Sequence, residues 1–402
     1  MKLTTTQVAL LEAIKASLFD IEPNFPADTD WDEVVKEAKA QTVLGIISTV
    51  IPVKDVSVEM GKATYMRLLF EQDKLIKLLD ANDIPCVILK GSAAAQYYPK
   101  PHLRAMGDVD FLVPHDKYET AVKLLESNGY EYHHGKTQDG KIPEEVRHIG
   151  YMKNGIEYEI HHHFSSKGFD IDNYLDLAFD KIEYRELDGY RIPMLPDIEN
   201  GFVLLGHLNQ HLVAENLGLR QVIDWLMYVN KVMNEEIWNN QFAPIAEKVG
   251  MKKLADNITM MCVKYLESPK CYLIDNKSDE DTSDLLLNMI LESGNFGSKI
   301  ASDQKKTDSV ISFGIYNIKK NGFFPYFQDM GLRKWKLCQK YSVFQPFAWI
   351  YGILRSLIRG LISLIKYGGL KKQIEVGDDR YILFEKLGIE ASSKIKCPLD
   401  DK

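Results

Sequence analysis

From Met1 to about Ile51 the apolar residues recur at helical spacing. Val8, Leu10, Leu11, Ile14 and Leu18 are interrupted by Glu12 and Lys15, and Trp31, Val34, Val35 and Ala38 make a second apolar face. A longer stripe of Met66, Leu69, Phe70, Leu75, Leu78 and Leu79 predicts a helix over about Lys62–Leu79, ended by Asn82 and Pro85. The period then changes. Ile84–Leu89 is a short apolar run that reads as a buried strand, and Val109–Val113 is another, closed by Pro114. Lys117–Asn128 is helical with Gly129 as its cap. Ile149–Met152 and Ile156–His162 form a hairpin turning at Asn154-Gly155. Beyond Asp197 the pattern is helical over Phe202–Val213, Leu219–Met233, Ile237–Lys248, Lys253–Leu266 and Leu285–Leu291, while Arg380–Leu387 fits either period. The succession predicts an α+β fold, a small mixed sheet flanked by N-terminal and C-terminal helical regions.

Composition narrows the class. A chain of 402 residues has room for two or three domains, and 45% apolar with 26% charged residues is an ordinary globular balance. The net charge of −8 excludes a protein built as a whole to coat nucleic acid. Five cysteines, Cys86, Cys262, Cys271, Cys338 and Cys397, show no CxxC pairing and fit reduced thiols in a cytoplasmic protein. The first helix is amphipathic rather than an unbroken apolar signal core, so no targeting segment is expected.

The chemistry concentrates in two stretches. Val87-Ile88-Leu89-Lys90-Gly91-Ser92 is a strand that ends in Lys-Gly-Ser and should enter a helix over roughly Ala93–Tyr98. Gly91 permits close backbone approach, and Ser92 with the following amides offers donors to a phosphate. Downstream, Arg104 precedes Asp108-Val109-Asp110-Phe111-Leu112-Val113. Alternation puts Asp108 and Asp110 on one strand face, about 7 Å apart, where they repel unless a cation lies between them. That repulsion predicts that Asp110→Asn keeps the fold and raises its melting temperature in the absence of metal. Magnesium suits such hard oxygen donors, with manganese as its alternative. A third acidic strand, Ile156-Glu157-Tyr158-Glu159-Ile160-His161, places Glu157, Glu159 and His161 on a shared face. Three carboxylates on two neighbouring strands can hold a pair of metals.

This pattern resembles the nucleotidyltransferase (DNA polymerase β-like) superfamily. More narrowly, Leu89-Lys90-Gly91-Ser92, Tyr98-Pro99, Arg104 and Asp108-Val109-Asp110-Phe111-Leu112-Val113 are similar to the uncharacterised bacterial nucleotidyltransferase family. The resemblance covers roughly Lys62–Val232. It implies Asp108, Asp110 and Glu159 as catalytic metal ligands, with Glu159 preferred over Glu157 because the family places an acid two residues before a histidine. It implies nucleotide binding by Lys90, Gly91, Ser92 and Arg104, and an acceptor side that includes His161, His207, His211, Arg220 and Asp224. The chain departs from the usual pattern in carrying Glu rather than Asp on the third strand. The domains expected are a helical region over 1–61, a nucleotidyltransferase core over 62–196, a helical acceptor-side domain over 197–330 and a basic region over 331–402. The implied reaction moves a nucleoside monophosphate from an NTP to an acceptor hydroxyl, which a protein, an RNA end, a sugar or a small molecule could carry.

Other readings compete. A glycosyltransferase also uses Asp-x-Asp to hold a metal and a nucleotide-sugar diphosphate, but it gives Lys90-Gly91-Ser92 no role. A binding or regulatory protein can retain the fold without catalysis. His207 and His211 lie four apart on a helix, but Leu208 stands where a zinc protease needs glutamate. Arg220 and Asp224, also four apart, are spaced to pair with each other. His162 alternates to the face opposite His161, and the acidic run Asp275–Asp281 lacks the glycine of a calcium loop. Between Gly331 and Gln373 there are nine basic residues and no acidic one, around an apolar Pro346–Lys366. Arg355 and Arg359 argue against a bilayer-spanning helix. Of the remaining readings a helix packed on the body is preferred over an amphipathic helix on an anionic membrane surface or a basic arm for a charged acceptor.

Overall fold

The computed structural model describes residues 2–135, 148–161, 164, 171, 174–175, 178–270, 273, 280–299, 314–367 and 370–389. His162, His163, Cys271, Cys397 and positions 275–279 of the acidic run lie outside them. The chain divides into two units, Met1–Lys299 and Ile300–Lys402.

In the first unit α1 (Thr5–Phe19) opens on a capping box in which Thr4 and Gln7 satisfy each other's backbone amides. It is followed by α2 (Trp31–Ala40) and α3 (Leu44–Ile47). The buried Gln41 ties these helices to the later ones, donating to the Ile290 carbonyl at 3.0 Å and accepting from the Leu219 amide at 3.1 Å. α4 (Val56–Asp80) begins at Val56 rather than Lys62, because the Asp55 carboxylate caps it by accepting from the Ser57 amide. Its buried face is Tyr65, Leu68, Leu69, Leu75, Ile76 and Leu79, whereas Met66 and Phe70 of the expected stripe point to solvent. The rotation lets Glu71 and Gln72 turn inward, where Asn154 and Ser92 meet them.

A five-stranded mixed sheet runs in the order β1-β2-β5-β4-β3. The strands are β1 (Val87–Ile88), β2 (Asp108–Leu112), β3 (Glu131–His134), β4 (His148–Lys153) and β5 (Ile156–His161). β2 and β5 pair in parallel and every other neighbour is antiparallel. A one-turn helix, α5 (Ser92–Ala95), follows β1, so the expected helix over Ala93–Tyr98 is cut short. The longer α6 (Tyr118–Ser127) lies between β2 and β3. Asn154 and Gly155 take left-handed φ of +53° and +67° and turn β4 into β5. α4 grips this turn, with the Arg67 guanidinium donating to the Asn154 carbonyl.

A separate hairpin of β6 (Glu183–Leu187) and β7 (Tyr190–Met194) turns at Asp188-Gly189. Then α7 (Asp197–Gln210) widens into a π-turn at His211–Glu215 and is followed by α8 (Leu219–Val232). Around α8 the buried rings of Trp225, Tyr228, Trp238 and Phe242 form an aromatic core. The helices Lys252–Leu266 and Glu280–Ser293 complete the unit.

The second unit is helical over 314–321, Phe323–Lys334, Lys336–Lys340, Ala348–Tyr367 and Leu370–Lys386, the last of which includes most of the ambiguous Arg380–Leu387. Tyr316, Leu383, Phe384 and Leu387 are buried in it. No helix among the described residues is long and apolar enough to cross a membrane.

Candidate active site

The parallel pairing of β2 with β5 sets Asp108 opposite Glu157 and Asp110 opposite Glu159. All four side chains therefore stand on one face of the sheet. They do not do the same thing. Glu157 Oε1 lies 2.8 Å from His133 Nδ1 and 3.0 Å from His134 Nε2, toward the outer strand. Glu159 instead lines a cleft together with Asp108 and Asp110. Asp110, Glu159 and His161 bring one ligand atom each within 4.8 Å of one another, and His161 Nε2 is 3.0 Å from Asp110 Oδ1 and 3.6 Å from Glu159 Oε2. On the neighbouring β4, His148 adds a second imidazole, 3.4 Å from Glu159 Oε1. His134, His148 and Glu159 thus form a further group able to hold a metal. A Cβ at Gly150 would strike the His134 ring, so the glycine is what lets that imidazole lie across the sheet.

Three cations face these carboxylates. Lys90 Nζ lies 2.6 Å from Asp110 Oδ1. Arg104 and Arg220 line the same cleft. Arg104 is anchored from behind: its Nε and one terminal nitrogen donate at 2.7 Å to the two oxygens of Asp224, which also accepts from Tyr98 at 2.7 Å. Asp224 therefore pairs with Arg104 and not, as helix spacing suggested, with Arg220. Arg220 donates to the Ala105 carbonyl at 3.4 Å and lies 5.7 Å from the Phe296 ring. Gly91 borders the cleft at φ +53° and ψ −112°, a conformation closed to residues with a Cβ. Ser92 does not line the cleft; it is buried, and its hydroxyl donates to Gln72 at 2.8 Å. A one-turn helix carries little macrodipole, so positive charge reaches the cleft from Lys90, Arg104 and Arg220.

The helical side closes the cleft with His207 and Gln210 of α7, with His211 and with Phe296. The ring nitrogens of His207 and His211 approach to 2.7 Å, which requires one to donate and the other to accept. Phe296 holds a left-handed φ of +53°, costly for a bulky side chain. Asn295 pins it in place, accepting from Gln221 at 2.9 Å and donating to Thr42 at 2.8 Å. The cleft has a cavity volume of about 160 Å³, below the ~300–1,000 Å³ of drug-sized ligand sites, and it opens to solvent.

Electrostatics separates the two aspartates. The charge of Asp110, aided by burial, pushes Asp108 up to about 6. Burial pushes Asp110 up as well, but Lys90 and the hydrogen bond from His161 outweigh it and hold its carboxyl well below the usual range. Burial lowers Lys90, yet Asp110, Asp108 and Glu159 together raise it above its ordinary value. Burial, then Lys90, drives His207 well below the usual imidazole range, so it is neutral at pH 7.

Most of the cleft's charged lining is thus among the residues expected from the sequence, whereas Met106, His148, Gln210 and Phe296 are not. His148 was one residue outside the strand expected at Ile149. The signal for Phe296 was an aromatic set between glycines at a helix end, Gly294-Asn295-Phe296-Gly297.

The cleft thus sets carboxylates of two paired strands against lysine and arginine. Residues 27–267 match the family model of the uncharacterised nucleotidyltransferases, and the chain belongs to that family. No curated protein matches the chain. Among solved structures it is similar to an antigenic nucleotidyltransferase-like protein from Paracoccidioides brasiliensis, at 14% identity and a TM-score of 0.31, over 50% of this chain and 92% of that one.

Proposed function

We propose that the protein transfers a nucleoside monophosphate from a nucleoside triphosphate to an acceptor hydroxyl and releases pyrophosphate. The observation that carries this reading is the parallel register that sets Asp110 beside Glu159 on the cleft wall, with Asp108 one step along the same face. Family membership speaks against the glycosyltransferase alternative.

The donor set fits a divalent cation. Asp108 is raised because the charge of Asp110 and burial outweigh the pull of Lys90, whose direct ion pair is with Asp110. Asp108, Asp110 and Glu159 would hold magnesium or manganese, both of which take hard carboxylate oxygens, and His161 and His148 lie beside Glu159. Bound there, the metal supplies charge neutralisation of the triphosphate and a more acidic acceptor hydroxyl.

The remaining work falls to the chain itself. Lys90 exchanges Asp110 for the phosphates when the substrate enters, and Arg220 and Arg104 add charge along the cleft. The acceptor oxygen bonds to the α-phosphorus as the bond to the bridging oxygen breaks, and pyrophosphate leaves with that electron pair. Glu159 takes the hydroxyl proton. Phe296 offers its ring to the nucleobase, beside the Arg220 guanidinium, and the hydrogen-bonded His207 and His211 face the acceptor.

Thermal melting with each NTP, with and without Mg²⁺, tests the reading. A Mg²⁺-dependent rise lost in Asp110→Asn is the expected result. No rise with any NTP and metal would leave a non-catalytic scaffold.

A further inference from the structure

Eleven of the twenty-one exposed large apolar or aromatic side chains among the described residues fall between 323 and 361. That concentration has an internal order. On the helix Ala348–Tyr367, Ile350, Leu354, Leu357, Ile358 and Leu361 are 40%, 55%, 59%, 57% and 58% exposed. Their spacing of i, i+4, i+7, i+8 and i+11 makes one stripe along the helix. The stripe is not a face left over from a missing hairpin partner. The helix already packs against Phe323–Lys334 through another side, where a Cβ on Gly331 would strike Ala348, one on Gly352 would strike the Phe327 backbone, and Ser356 meets Met330 at 3.5 Å. Phe347, just before the helix, and Phe324, against Trp349, are 53% and 61% exposed.

Charge supplies the second observation. Residues 331–373 carry nine basic residues and no acidic one, in a chain whose net charge is −8. The same helix is interrupted by Arg355 and is not a bilayer span.

We propose that the unit Ile300–Lys402 docks on the surface of an anionic phospholipid bilayer. The helix Ala348–Tyr367 lies in the interface with its stripe among the acyl chains, and the flanking lysines and arginines meet headgroup phosphates. An interfacial helix needs both terms, apolar burial and attraction to anionic lipid, and this segment has both. Nucleic acid would engage the cations and leave the stripe in water. An apolar groove on a protein would take the stripe and give the acid-free segment no role.

The test uses the full chain, sedimented with vesicles of phosphatidylcholine alone or mixed with phosphatidylglycerol, at low and at physiological salt. The expected result is pelleting with the anionic vesicles, several-fold weaker with neutral ones and weakened by salt. In Leu354→Glu/Ile358→Glu, binding should fall at least tenfold, with melting temperature unchanged because both positions are exposed. Lys371→Gln/Lys372→Gln should reduce binding several-fold while keeping the apolar stripe. A wild-type chain that stays in the supernatant with anionic vesicles at low salt overturns the proposal. So does a Leu354→Glu/Ile358→Glu chain that pellets like wild type, or a vesicle-indifferent dimer that this variant dissociates, which would make the stripe a contact between copies.

Discussion

Lys90 and Asp110 form an ion pair at 2.6 Å inside the cleft, on the same carboxylate oxygen that His161 approaches to 3.0 Å. The pair makes the two strand aspartates inequivalent. Asp110 is the compensated one, held ionised, and Asp108 bears the cost of the neighbouring charge. Alternation along a strand shows only that two acids share a face. It does not show which of them a lysine from the preceding strand will meet.

Asp108→Asn should stabilise the metal-free protein at neutral pH. Its folded pKa, about 6, lies above the unfolded value of ~3.9. The native state therefore binds the extra proton, and stability is lost as pH rises through the window between those values. The loss is up to about 3 kcal/mol. Asparagine removes that loss, so the variant should melt higher than wild type near pH 8 and equal to it near pH 4. Calorimetry at the two pH values with chelator present checks this, and a variant that melts lower at both would contradict it.

Asp110→Asn should do the opposite, reversing the expectation from simple repulsion. It strands Lys90 and removes the partner of His161. The cost is roughly 2 kcal/mol, below the ~3–5 of a fully buried pair because the Lys90 side chain keeps some solvent. Denaturant titration should show the loss, and pairing the change with Lys90→Met should recover most of it. A more stable Asp110→Asn would refute the pairing.

Arg104 and Arg220 should separate by phenotype. Asp224→Ala leaves the buried Arg104 guanidinium without its carboxylate and should cost ~3–5 kcal/mol. Arg220→Ala should leave stability within about 1 kcal/mol and weaken nucleotide binding tenfold or more, since its loss removes cleft charge rather than a buried pair. Equal unfolding midpoints for the two variants would show that the division is wrong.

Phe296→Gly separates backbone from ring. Glycine tolerates φ +53°, so relief of strain worth about 1 kcal/mol offsets the lost packing. Stability should hold while NTP affinity falls several-fold in a titration with Mg²⁺. Unchanged affinity would remove Phe296 from the nucleotide side.

Much of this was legible before the fold. The Asp-x-Asp strand, the Glu159 strand and the Asn154-Gly155 hairpin were readable because period-two alternation and turn chemistry are local signals. The β6–β7 hairpin was missed although Asp188-Gly189 announces it, since Glu183–Leu187 is too charged to look like a strand. The Arg104–Asp224 pair spans 120 positions and was not legible at all. Ser92 shows the converse: it has the right motif position, but Gln72 of α4 takes its hydroxyl. Which partner wins a polar side chain depends on packing, and periodicity does not encode it.

We propose that this cleft transfers the α-phosphoryl group with its nucleoside. The direct measurement incubates protein, Mg²⁺ and cell extract with NTPs labelled at the α- or the γ-phosphate, beside the Asp110→Asn variant. The expected result is α-label joined to an acceptor, γ-label released as pyrophosphate, and neither product with Asp110→Asn. Transfer of the γ-label to an acceptor, or α-label transfer by Asp110→Asn at the wild-type rate, would contradict it.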